Sequence, residues 1–362
     1  MDFAVADYRP RWLINRLIVK DQPCIVGGPK KALKTSLLID LAMSLGSATP
    51  FLGQFAVHEK VRTIVISGES GPHTIQETAR RIAHAKGIGL AGVDVLWDFR
   101  LPQLASAIEL AELGRGIKDR GGKLCIVDPL YLALLAGQGQ QGLQATNLYD
   151  MGPLLLRVAE TCLNAGATPI LAHHAKKSRL NSYDPLDLDE LAFSGVAEFA
   201  RQWLLLSRRE AYKPGTGIHR LWLSAGGSIG HGGLWTLDVA EGQLDDDFGG
   251  RRWEVTVMTA GDSRAAQKDA REDQKAERQK QKDKADDTAL LLALDTLDPQ
   301  RKGAGYTKAR EGARLDSARM TRAVARLAGE GLLEELEIEI VVGNGAKRTV
   351  KGIRRRTSEH RE

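Results

Sequence analysis

Apolar residues gather in short, nearly continuous blocks at 23–27, 61–67, 93–97, 124–128 and 168–173. After each of the first four comes a longer stretch in which apolar residues return every three or four positions, as at 35–45 and 75–85. A block that is apolar at every position has no solvent face, so it reads as a strand buried on both sides. Alternation of such blocks with helical stretches predicts a parallel sheet with helices on both faces. From 201 to 240 the pattern changes, with shorter blocks at 203–206, 219–223 and 234–239 separated by glycine turns around Gly226-Gly227 and 230–233. These read as antiparallel strands added to one edge of the sheet.

The pattern then stops. Residues 262–286 contain no apolar side chain larger than alanine, only mixed charge that could support a solvated helix or remain disordered. Beyond them the chain predicts an apolar helix at 288–297, a turn at 303–305 and helices at 306–312 and 316–329. Alternating residues at 333–342, a Gly-Asn-Gly turn at 343–345 and a basic strand at 347–354 complete the series. Three helices followed by a β-hairpin is the order of a winged helix-turn-helix. The expected division is therefore an α/β domain over 1–260, a charged linker over 261–286 and a winged-helix-like domain over 287–356.

Composition adds limits. The chain has 362 residues, 43% of them hydrophobic and 27% charged, enough to bury one large core and a smaller one. Cys24, Cys125 and Cys162 are widely spaced in apolar runs and form no metal-binding pattern, so reduced, buried thiols are expected. No signal peptide and no apolar run of 18 residues is present, so the reading is a cytoplasmic protein with no membrane span. The net charge of +5 is local: residues 300–362 hold 15 Lys or Arg against 9 Asp or Glu, and the rest of the chain is close to neutral. A basic excess at one end points to a local anionic partner.

The candidate chemistry begins at residues 22–36. A hydrophobic strand ends at Gly27-Gly28, which let the backbone turn tightly. The loop Pro29-Lys30-Lys31-Ala32-Leu33 follows, and then Lys34, Thr35 and Ser36 open a helix. Such a loop turns its N–H groups inward onto phosphates. The Lys34 ammonium reaches the β- and γ-phosphates of ATP, and the Thr35 hydroxyl holds Mg2+. Leu33 stands where a second glycine is expected. Downstream, the block 124–128 ends in Asp128, either a strand-end cap or a second Mg2+ position. The block 61–67 leads into Gly68-Glu69, where Glu69 is either an exposed turn residue or a general base for the attacking water.

Together these residues resemble the RepA-like branch of the RecA-type P-loop ATPases, which includes hexameric plasmid replicative helicases. The likeness covers roughly 8–245. It rests on Trp12-Leu13, Gly27-Gly28-Pro29-Lys30, Pro50-Phe51-Leu52-Gly53, Gly68-Glu69, Asp128-Pro129-Leu130 and His173-His174 before Lys176-Lys177. It implies a RecA-like fold, with phosphate and metal held by Lys34, Thr35 and Asp128, and Glu69 as catalytic base. It also implies a γ-phosphate sensor at the strand end, His174 rather than His173, if these are not simply capping histidines. The segment 194–201 resembles a family motif in which Arg201 would be an arginine finger acting on a neighbouring subunit. Arg208 and Arg209 are rivals for that role. The stretch 176–191 reads as a loop, a candidate for facing a central channel.

In the last domain Arg314, Arg319, Arg322 and Arg326 are the candidate DNA-facing row, with Lys347, Arg348, Lys351 and 354–356 as a basic wing. Glu334, Glu335, Glu337 and Glu339 on the partner strand favour a protein-contact role instead. Three functions remain open: a ring-forming, hexameric ATP-driven DNA translocase or helicase; an ATP-dependent assembly switch or DNA-bound regulator; and a single-strand recombination mediator.

Overall fold

In the computed structural model residues 4–135, 148–176, 181–193, 195–246, 249–341 and 347–356 are described. The turn expected at 343–345, together with Lys177 and Ser194, lies outside them. The chain divides into two compact units, Met1–Ser263 and Arg264–Glu362.

The first unit opens with a small hairpin, β1 (Trp12–Ile14) and β2 (Ile18–Val19), followed by β3 (Cys24–Gly28) and α1 (Lys34–Ser47). Next come β4 (Thr63–Ser67), α2 (Pro72–Ala85), β5 (Val95–Asp98), α3 (Ala107–Asp119), β6 (Leu124–Asp128) and α4 (Leu130–Leu135). The order continues with α5 (Leu148–Asn164), β7 (Thr168–His174), α6 (Val196–Phe199), β8 (Gln202–Arg208), β9 (Ile218–Gly227), β10 (Gly232–Gly242) and β11 (Arg251–Thr259). Nine of these strands form one sheet in the order β11-β10-β9-β8-β3-β7-β6-β4-β5.

Every residue of β3, β4 and β6 is buried, as continuous apolar blocks require, and the strands from β8 to β5 run parallel. One face of the sheet packs Cys24 and Val26 against Leu38, Leu41, Ile75 and Ile82 of α1 and α2. The other packs Ile25, Ile66 and Val127 against Leu110, Leu155 and Val158 of α3 and α5. A mostly parallel sheet between two helical layers is the α/β architecture expected from the sequence, and it fits a P-loop NTPase core.

Two details differ from the pattern read along the chain. β8 is not an antiparallel addition: it pairs parallel with β3, and only β9, β10 and β11 run antiparallel. Its run Trp203–206 is continuous, as an interior strand demands, and β8 is largely buried. The outermost strand, β11, had no apolar block to announce it, since Arg252, Glu254 and Thr256 alternate with Trp253, Val255 and Val257.

The residues read as linker are helical: α7 runs unbroken from Ala260 to Leu297. In the second unit it is followed by β12 (Ala304–Gly305), α8 (Tyr306–Gly312), α9 (Ser317–Gly329), β13 (Leu333–Val341) and β14 (Lys347–Arg355), with strand order β12-β14-β13. Its core is Leu290, Leu294, Met320, Val324, Leu327, Leu333 and Ile353. Asp316 caps α9 by accepting from the Arg319 amide at 2.8 Å.

Candidate functional site

The centre of the site is the turn from β3 into α1. At Gly28 a Cβ would come within 2.8 Å of the Leu206 carbonyl oxygen, and at Gly27 within 2.5 Å of a Leu191 methyl, so neither position has room for a side chain. Beyond them Lys31 and Leu33 take left-handed backbone, with φ of 57° and 60°. Leu33, which stands where a glycine is expected, therefore adopts a backbone conformation that favours glycine. A non-glycine residue there costs about 1–2 kcal/mol, offset in part because the Leu33 side chain packs on the core. α1 begins immediately afterwards, so its unpaired first-turn N–H groups face the loop.

Lys34 is buried, and its ammonium donates to the carbonyls of Gly28 at 2.9 Å and Pro29 at 2.8 Å. It also lies 3.1 Å from His174 Nδ1. A lysine ammonium has only donors, so Nδ1 accepts and the His174 proton sits on Nε2. That Nε2 is buried without a partner. Burial lowers the Lys34 pKa to about 8, against the opposing pull of the Asp128 and Glu69 charges. Burial also lowers the His174 pKa, and the Lys34 charge adds to the effect. Thr35 Oγ1 donates to Asp128 Oδ2 at 2.7 Å, which joins the hydroxyl at the start of α1 to the carboxylate at the end of β6. Burial raises the Asp128 pKa, while the Thr35 hydrogen bond and Lys34 hold it down.

β7 lies between β3 and β6, so His174 stands opposite Gly28 in register and beside the strand that ends in Asp128. β4 pairs with β6 on the far side, matching Ser67 with Asp128, and the Gly68 amide donates to the Asp128 carbonyl at 2.9 Å. Glu69 follows directly, exposed, and its charge acts on Lys34, Asp128, His174 and Tyr131. The glycine turn into the first turn of α1, the Lys34 ammonium and the Thr35–Asp128 pair suit a magnesium-bound triphosphate. Residues 2–179 match the AAA domain family. No curated protein matches the chain. That family is of the P-loop ATPase type, so the match, over just under half of the chain, suggests a nucleotide-binding ATPase domain in this unit.

Around the loop between β3 and α1 the remaining candidates fall into two groups. Lys30 and Lys31 are exposed on the loop, Ala32 is buried inside it, and Ser36 is half-buried in the first turn of α1. Arg201 stands apart: it precedes β8, whose next residue, Gln202, is in register with Cys24 at the opposite end of β3 from the loop. Within one chain it does not reach the site. Arg208, at the other end of β8, does, donating to the Lys31 carbonyl at 2.6 Å. His173 is turned away, with Nε2 2.7 Å from the Ala192 carbonyl and its ring against Phe193; burial lowers its pKa to about 4.

Tyr131 went unread in the sequence, and Arg208 was read only as a rival arginine finger, not as a partner of the loop. Tyr131 packs against His174 with ring centroids 5.2 Å apart, and with Lys30, Lys176, Tyr183 and Arg208 it lines a cleft beside the loop. Neither Tyr131 nor Arg208 belongs to a local motif, so spacing carried no signal for their approach. The segment after β7 is tied down at its ends, by the Ala175–Leu191 bridge and by a capping box between Asp187 and Glu190.

Proposed function

We propose that the protein hydrolyses ATP with Mg2+ in a homo-oligomeric, six-membered ring of the RecA-like type and uses the cycle to move along DNA, as a translocase or helicase of a replication or mobile-element system. The observation that carries the ATPase part is the convergence of Lys34, the Thr35–Asp128 pair and Glu69 on one loop. In this reading the loop amides and Lys34 bind the phosphates, and Thr35 with Asp128 would hold the magnesium ion. That ion, when bound, supplies charge neutralisation. Glu69 accepts the proton of the attacking water, and the His174 Nε2–H donates to the terminal phosphate. An arginine from a neighbouring copy, Arg201 among the candidates, completes the charge. Support for DNA comes from the resemblance to plasmid helicases, and from reading the second unit as a winged helix.

A second reading, an ATP-dependent assembly switch without motor activity, draws on the second unit. Arg319 pairs with Asp286 and Arg326 with Asp283 and Asp287, while Lys347, Lys351 and Arg354 pair with glutamates of β13. Among the described residues most cations expected to meet DNA are thus already matched, leaving Arg314 and Arg322 of the row for a duplex.

The test is ATP turnover with and without single-stranded DNA, in the wild type and in Glu69→Gln. Glu69→Gln should keep nucleotide binding and lose roughly 10²- to 10⁴-fold in turnover. Unchanged turnover would remove Glu69 from its role. ATP-dependent assembly without DNA stimulation would favour the switch.

A further inference from the structure

The peptide plane between Lys31 and Ala32 is held from outside the loop. Arg208 donates from one terminal nitrogen to the Lys31 carbonyl at 2.6 Å. Its guanidinium stands over the Tyr212 ring, 5.3 Å from the centroid, which limits its freedom to swing away. The next residue, Arg209, is committed elsewhere, to Asp238. Arg208 closes a strand parallel to β3, so it meets the loop at the same end of the sheet.

In a trans peptide the C=O and N–H of one plane point in opposite directions. A donor fastened to the outward carbonyl of Lys31 therefore turns the Ala32 N–H inward, where a phosphate would lie. Such a tie has something to hold, because Lys31 and Leu33 on either side of Ala32 both occupy left-handed backbone without being glycine. A loop with two such residues gains by relaxing, and relaxation would rotate the amide away.

We propose that Arg208 is a positioning residue acting in cis: it holds the amide of Ala32 in the phosphate nest by anchoring the Lys31 carbonyl. The proposal rests on the ATPase reading of the AAA domain and deepens it. It gives Arg208 a different task from a finger reaching into a neighbouring subunit. A finger touches the terminal phosphate, so its loss takes turnover and spares ADP binding. A loop tie acts on every phosphate the loop holds, so its loss weakens ADP and ATP alike and spares turnover at saturation.

The measurement is binding of a fluorescent ADP analogue, at a protein concentration where sedimentation shows a monomer, with steady-state ATP turnover and a thermal melt alongside. Arg208→Ala should weaken the ADP analogue roughly five- to tenfold, raise KM for ATP by a similar factor, leave kcat within about twofold and leave the melt in place. Arg208→Lys, which keeps a charged donor, should recover most of the affinity. Unchanged ADP affinity in Arg208→Ala overturns the proposal, as does an affinity loss that tracks a lower melting temperature. A wild type that binds no nucleotide overturns the ATPase reading itself, and this role with it.

Discussion

Lys34 carries the strongest constraint at the scale of single residues. With its pKa held near 8 and an ordinary value of 10.5, the folded chain binds fewer protons here than the unfolded chain between those two values. The cost of burying its charge is therefore fully present below about pH 8 and is relieved as pH rises from there. Phosphate binding requires the ammonium, so the dependence of affinity has the opposite sign. Nucleotide affinity should hold steady from pH 7 to 8, then fall by up to about tenfold per unit above it. Calorimetry in buffers of different ionisation enthalpy should show proton uptake on binding above pH 8, and its absence would mean that Lys34 stays charged throughout. Leu33 gives a second prediction. Glycine at this position removes the left-handed strain and also the side-chain packing, so Leu33→Gly should change stability by less than about 1 kcal/mol. Leu33→Val keeps an apolar side chain but is β-branched, and should cost about 1–2 kcal/mol in denaturant melts. Much of this centre was legible in the sequence because it is local: two glycines, a lysine and a hydroxyl stand within nine residues, and Asp128 ends an uninterrupted apolar block. Arg208 was not legible as a partner of the loop, since its contact is with a backbone carbonyl 177 residues away.

Among the elements, α9 shows how a periodic pattern can name a face without naming what covers it. Spacings of three and four place Arg319, Arg322 and Arg326 along one side of the helix, which is what the sequence offers. Asp286 takes two hydrogen bonds from Arg319, at 3.0 Å from Nε and 2.5 Å from a terminal nitrogen, and Asp287 takes Arg326 at 2.8 Å. These carboxylates lie 33 and 39 residues upstream on α7, in a stretch whose mixed charge reads equally well as a solvated linker. The Arg319 hydrogen bond is the main reason the Asp286 pKa is lowered, so this contribution is present above the usual aspartate range and is lost as pH falls through it. Arg319→Ala should therefore lower the melting of the second unit by a few degrees without changing DNA affinity. Arg322→Ala should do the reverse if this helix meets a duplex. A DNA titration of both variants separates a strut from a contact. The same limit explains the sheet. Buried strands announce themselves by continuous apolar blocks, but direction and neighbour do not, which is why β8 reads as antiparallel along the chain and pairs parallel with β3.

For the whole molecule, two units with separate cores imply two unfolding events. A ligand that binds only one of them should move one event. Magnesium and ATP at a hundredfold excess over the dissociation constant contribute about 2.7 kcal/mol, which corresponds to several degrees for a unit of this size. Scanning calorimetry should show the transition of the first unit rising by that amount while the other stays in place; a single transition moving as one would contradict the division. The margins of the nine-stranded sheet bear on assembly as well. One margin is β5, a strand of four residues flanked by the Arg120–Asp98 and Arg100–Glu109 ion pairs. The other is β11, where Arg251 and Arg252 pair with Glu241 and Glu254. Charge along a margin makes it a poor template for another strand. In the ring proposed above, copies of this chain would therefore meet through side chains rather than by lengthening one another's sheet, and contacts of that kind could open and close with each turn of a nucleotide cycle, because no ladder of backbone hydrogen bonds would have to be torn to release a neighbour.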